Sequence, residues 1–171
     1  MSPEMLTALE ALRQELLNHE HNGNIYRPIY TQNLIGEIPS RILLRPATIA
    51  TTGDTDDYII SPISGNLLSV DFSALVALAA SDTNYITFSI TNLGQANPIA
   101  GTTAMLAATD ANTTKATGGT AIVANLRRQL TLNATPNNTQ VVEGDRLRIR
   151  AAATGTLANT VTVPTYMLRF S

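Results

Sequence analysis

Residues 146–151 read Arg-Leu-Arg-Ile-Arg-Ala, three cations alternating with three apolar side chains. A period of two is the repeat of a β-strand with one face in a core and the other in water. Gly144-Asp145 supplies the turn that launches it. Downstream, Thr160 to Phe170 is rich in Thr, Val, Tyr and Phe and reads as a second strand, lying deep in the sheet. These two strands require a β body, and the rest of the chain is read against that requirement.

From Tyr58 onward strand signals recur. Ile59–Ile63 and Asn66–Phe72 are separated by Ser64-Gly65, which reads as a hairpin-like turn. Ser73–Ala80 is apolar and alanine-rich, fitting one helical turn or a buried strand. Tyr85, Thr87, Ser89 and Thr91 alternate with Ile86, Phe88 and Ile90 in a clear strand. Ala100–Leu106 and Thr120–Leu132 flank a polar stretch, Asp110–Gly119, whose Asn, Thr and Gly content predicts an exposed loop. Strands at roughly ten-residue intervals without intervening helices give an all-β class, as a jelly-roll β-sandwich.

The N-terminal third is patterned differently. Ser2-Pro3-Glu4 is a helix start, with a capping hydroxyl, a proline at the first helical position and an acid in the first turn. Met5, Leu9, Leu12 and Leu16 then recur at spacings of a heptad seam, on which His19 is the next position. The helix packs either on its own domain or against copies in other subunits. Gly23 ends it. From Asn24 to Asp57, Pro28, Pro39 and Pro46 break the pattern into short extended pieces, as in an arm running over a surface, with Arg41–Arg45 as a strand where it docks. Gly53–Asp57 is the dense acidic cluster; it lacks the closing Glu of a calcium loop and reads as a solvated turn. The division is a helix at 1–23, an arm at 24–57 and a β domain at 58–171.

Composition excludes several functions. The sequence has no Cys, so disulfides, Cys-based zinc sites and thiol nucleophiles are absent. Lys115 is its single lysine and the formal net charge is -2, which argues against a nucleic-acid partner. No run approaches the roughly 20 apolar residues that span a bilayer, so no membrane partner is expected. The N-terminus lacks a basic segment ahead of an apolar core, so no signal peptide is expected, and the Asn-x-Thr triplets at Asn112, Asn133 and Asn137 read as polar turns.

Both histidines, His19 and His21, lie in the N-terminal segment, so no Ser-His-Asp arrangement can form inside the β body. No phosphate-binding glycine loop is present. Asp71 and Asp82 are a formal carboxylate pair, but nothing singles them out from ordinary surface acids. The chain does not read as an enzyme. The more distinctive feature is the ladder of Arg146, Arg148 and Arg150, whose guanidinium groups repel one another unless acids or a partner face them. Either neighbouring Asp and Glu neutralise that face, or it contacts a partner, as Arg41 and Arg45 on the arm also can. His19 and His21 either cap the helix C-terminus or, with three chains about a threefold axis, bring six imidazoles to one transition metal.

The run from Ile63, ISGNLLSVDFSALVALAASDTNYITFSITN, followed by LRRQLTLN, VVEGDRLRIRAAATGT and TVTVPTYMLRF, resembles the trimeric jelly-roll modules of tailed-bacteriophage capsid decoration (cement) proteins and head fibres. Those modules are similar in architecture to tumour-necrosis-factor-like trimers. His19-Glu20-His21-Asn22-Gly23 resembles the H-x-H element of phage fibre and spike proteins, some of which bind iron on the threefold axis. The resemblance implies a virion structural protein made in the host cytoplasm, a homotrimer on the capsid exterior that binds and stabilises the major capsid protein shell. It implies no cofactor beyond an axial metal at His19 and His21. The alternative is a tail-fibre or receptor-binding module recognising host surface glycan. A carbohydrate-active enzyme is a third reading, and aromatic content of 5% without Trp weakens both sugar-binding expectations.

Overall fold

A computed structural model describes residues 40–94 and 103–171. The expected helix at 1–23, with His19 and His21, and the first part of the arm lie outside the described residues. Among the described residues there are nine strands: β1 (Ser40–Leu44), β2 (Gly53–Ile60), β3 (Gly65–Ser73), β4 (Tyr85–Asn92), β5 (Thr103–Ala104), β6 (Arg128–Leu130), β7 (Gln140–Val141), β8 (Arg146–Thr154) and β9 (Thr165–Phe170). They form two antiparallel sheets, one ordered β1-β9-β3-β6 with β7 beside the start of β3, the other ordered β2-β8-β4-β5. Chain order crosses between the sheets at every step except β4 to β5 and β6 to β7, and each sheet interleaves early and late strands. This is the all-β jelly-roll sandwich.

The two strands that dominate the sequence pattern are interior to their sheets. In β8, Leu147, Ile149 and Ala151 are buried while the three arginines turn outward. In β9, Tyr166, Leu168 and Phe170 are buried between β1 and β3. Between the sheets, Phe72 of β3, Phe88 of β4 and Tyr166 of β9 pack ring to ring, with centroids 4.7 Å apart for Phe72–Phe88 and 5.0 Å for Phe72–Tyr166. Edge and tilted contacts of this kind add to the burial of three large side chains. Burial raises the Tyr166 phenol far above its ordinary pKa.

Strand β3 departs from simple alternation. Its register against β9 shifts between Leu67 and Ser69, a bulge that lets Leu67, Val70 and Phe72 all face the core although the first two are three positions apart. Gly65 opens β3 where a Cβ would collide with the Ser171 carbonyl, and Ser171 in turn bonds Asn66 through its N–H (3.0 Å) and Oγ (3.1 Å). The turn before β8 uses Gly144 at φ 90, a conformation that suits glycine.

Several expectations are corrected. Within the expected arm, β1 and the first part of β2 are sheet strands, so residues 40–57 belong to the β body and not to a surface arm. Pro46 follows β1 without breaking it, and β1 and β2 are edge strands, where a neighbouring proline costs no ladder bond. Gly53–Asp57 is the first half of β2 and not a turn. Ser64-Gly65 is not a hairpin: β2 and β3 lie in different sheets, and the crossing is held by Ser61 N–H to Asp145 O (2.7 Å) and Gly144 N–H to Ser61 O (2.8 Å). Ala74–Ala80 is neither helix nor strand beyond a bridge from Leu78 to Ile122. Of Thr120–Leu132 only β6 is a regular strand, and part of Ala100–Leu106 lies outside the described residues.

The polar stretch at 110–119 is corrected most. Asn112, Thr113 and Thr114 are buried. Asn112 Nδ2 donates to Ala107 O and Thr131 O, both at 2.8 Å, and its Oδ1 accepts from Thr131 N–H at 2.7 Å. Arg128 lies across the same stretch, donating to Thr120 O (2.8 Å), Ala111 O (2.6 Å) and Thr113 O (2.7 Å). Side chains that read as loop by composition act here as a polar plug that satisfies the backbone of an irregular segment.

Candidate functional site

The outward face of the β2-β8-β4 layer is where the arginine ladder lies. Register places Asp56, Tyr58 and Ile60 of β2 directly across from Arg150, Arg148 and Arg146, with Asp54 one pair further on. Arg150 holds Asp56 through two parallel bonds, Nε to Oδ1 and Nη2 to Oδ2, each 2.6 Å, and its Nη1 lies 2.7 Å from Asp54 Oδ2. The fork matches a carboxylate, so this is the geometry in which a surface pair is strongest. The Arg150 bond holds Asp56 below its ordinary carboxylate pKa, and Asp56 holds Arg150 above its own. Arg146 lies with its guanidinium carbon 4.2 Å from the Tyr58 ring centroid. Arg148 stands between them, its Nε shut off from water without an acceptor.

The other sheet turns a second charged face outward. Arg41 of β1 lies opposite Arg169 of β9, and Arg169 lies opposite Ser69 of β3. In the next row Leu43, Met167, Asp71 and Gln129 align across four strands. Asp71 is only 6% exposed and Arg127 Nη1 approaches it at 3.6 Å. Ser69 Oγ and Arg169 Nε are buried without a partner, beside exposed Leu43 and Leu68. Arg45 lies just past β1 and is exposed. The candidate contact arginines are thus separated, Arg41 on one sheet face with Arg45 just past the end of its strand, and Arg146, Arg148 and Arg150 on the other sheet.

A groove of about 300 Å³ lies between Tyr85, Thr87 and Ser89 of β4 and the segment from Ala107 to Lys115. Lys115 Nζ donates to Asp110 Oδ1 at 2.8 Å and sits 5.0 Å from the Tyr85 ring centroid. The Asp110 bond raises the Lys115 pKa. These polar groups satisfy one another, and the ammonium occupies one face of the ring.

Asp71 and Asp82 do not form a matched pair: Asp71 is on the β3 face with Arg127, whereas Asp82 accepts from Thr117 N–H (2.8 Å) and Thr117 Oγ1 (3.0 Å). Those Thr117 bonds hold Asp82 below its ordinary pKa. Among the described residues no group of three His, Asp or Glu side chains is placed to hold a metal, and His19 and His21 lie outside them. Asp54, Asp56 and Tyr58 are the partners of the ladder that the solvated-turn reading of Gly53–Asp57 misses. Their own alternation along Asp54-Thr-Asp-Asp-Tyr-Ile-Ile is the signal that makes them a strand partner of the ladder.

Comparison with protein-family models, with curated proteins and with solved structures returns no match.

Proposed function

We propose that the protein is a virion structural protein, a homotrimeric decoration or cement protein that binds and stabilises the head of a tailed bacteriophage. The observation that carries this reading is the outward face of the β1-β9-β3-β6 sheet. There Leu43 and Leu68 are exposed beside Ser69 Oγ and Arg169 Nε, buried polar atoms without partners. An apolar patch next to polar groups left unsatisfied by the chain is what a subunit interface completes. The jelly-roll strand order supports the reading by agreeing with the decoration-protein resemblance in the sequence, although a fold alone carries no function.

In this account the sandwich makes the trimer and the segment before Ser40 engages the shell. Sedimentation of the full-length protein with phage shells stripped of decoration tests it. The expected result is saturable binding at three chains per site, lost when residues 1–38 are deleted. Full-occupancy binding by the deleted form would remove the anchoring role, and no binding by the full chain would remove the decoration role. The glycan-binding alternative would place its ligand in the groove beside Tyr85. Lys115 over that ring takes up a face on which a sugar would stack, and no observation favours this reading over the first.

A further inference from the structure

The ladder on β8 has two acids facing three arginines, and both acids are engaged by Arg150. Arg148 lies opposite Tyr58 on one side and Thr91 on the other, and Arg146 lies opposite Ile60. Among the described residues no carboxylate approaches either guanidinium within 4.0 Å. Arg148 has an Nε shielded from water and without an acceptor; its charge helps to lower the Asp56 pKa, but no hydrogen bond offsets the desolvation of that N–H. Arg146 is exposed and held over the Tyr58 ring, which fixes its plane and leaves the in-plane N–H donors available. Ile60 at 62% exposure supplies an apolar flank.

We propose that Arg146 and Arg148, with Tyr58 and Ile60, form a docking surface for an acidic extended segment of another protein, carrying carboxylates two residues apart. Positions i and i+2 on a strand are separated by roughly 6.5 Å, so the two guanidinium groups and two such carboxylates share one spacing. Arg146 then takes one carboxylate in the bidentate manner that Arg150 already shows with Asp56, and Arg148, whose Nε is shielded, takes the other through its Nη groups. The neighbouring Asp54 and Asp56, together with the net charge of -2, oppose a long polyanion, which is why the partner is a short acidic polypeptide and not a nucleic acid. The surface is independent of the phage reading, and its test uses no shell.

Fluorescence anisotropy of the full-length chain with a labelled Thr-Glu-Thr-Glu-Thr-Glu-Thr peptide at low salt reads the interaction directly. The Thr-Gln counterpart and a single-stranded oligonucleotide of equal charge are the comparison probes. The expected result is binding of the acidic peptide alone, weakened as salt rises. The Arg146→Gln/Arg148→Gln double variant should lose at least tenfold in affinity, while Arg127→Gln on the opposite sheet binds as wild type. Because Arg148 is partly buried, Arg146→Glu at the exposed position serves as a second variant and should lose affinity with its circular dichroism unchanged. Absence of peptide binding by the folded wild type, equal affinity in the Arg146→Glu variant, or tighter binding of the oligonucleotide would overturn the proposal.

Discussion

Arg150 and Asp56 come from strands 94 residues apart in sequence, and their ion pair is a sensitive reporter of the β2–β8 edge. The Asp56 pKa is lowered in the folded state, chiefly by the Arg150 bond. Folding is therefore stabilised by this group above the unfolded value of about 3.9, and the contribution is lost as pH falls through the lower folded value. Asp56→Asn should cost about 1 kcal/mol at pH 7. Its melting temperature should converge with that of wild type as the pH is taken from 5 down to 2, and a gap that stays constant with pH would contradict the assignment. Asn112 makes a larger claim. Asn112→Ala removes the donor to the Ala107 carbonyl and the acceptor of the Thr131 N–H, and leaves the Thr131 carbonyl with the Ala107 N–H alone, so a loss of about 3 kcal/mol is expected from urea unfolding. The arginine ladder was legible in the sequence because its period is local. The acids that neutralise Arg150 and the carbonyls that bury Asn112 were not, because both depend on partners fixed only by the tertiary fold.

Long strands and short ones differ in how well they can be read. Strands β4, β8 and β9 span six to nine residues, and alternation over that length identifies them. Strands β5, β6 and β7 have two or three residues, too few to show any period. The bulge in β3 breaks the period from inside, and the crossing at Ser61–Ser64 imitates a hairpin because a glycine serves equally well in a turn and in a close approach. Proline near β1 reads as an interruption, yet an edge strand tolerates it. The boundary that follows is testable. The core draws on Ile42, Leu44 and Ile49 but on no described residue before them. Deleting residues 1–38 should leave the circular dichroism of a folded β protein. Deleting 1–56 removes β1 and half of β2, uncovers β9 and the β8 face, and should give unfolded or aggregated material. A folded product from the longer deletion would show that β1 is dispensable.

On the scale of the whole molecule, the sandwich closes its own core and leaves two outward sheet faces with unlike character. On the β2-β8-β4 face Arg150 is ion-paired with Asp54 and Asp56, while no carboxylate among the described residues lies within ion-pair distance of Arg146 or Arg148. The β1-β9-β3-β6 face pairs exposed Leu43 and Leu68 with buried, unpartnered polar atoms, and it is the face assigned to the trimer contact. Leu43 is 60% exposed, so Leu43→Glu should leave the monomer's stability within about 0.5 kcal/mol. The same change should dissociate the assembly if this face meets another subunit. The decisive measurement is light scattering of the purified full-length chain at micromolar concentration. A mass about three times the 18.2 kDa of one chain, falling to one chain mass in Leu43→Glu, is the result the account predicts. A wild-type protein that runs as a monomer would contradict it.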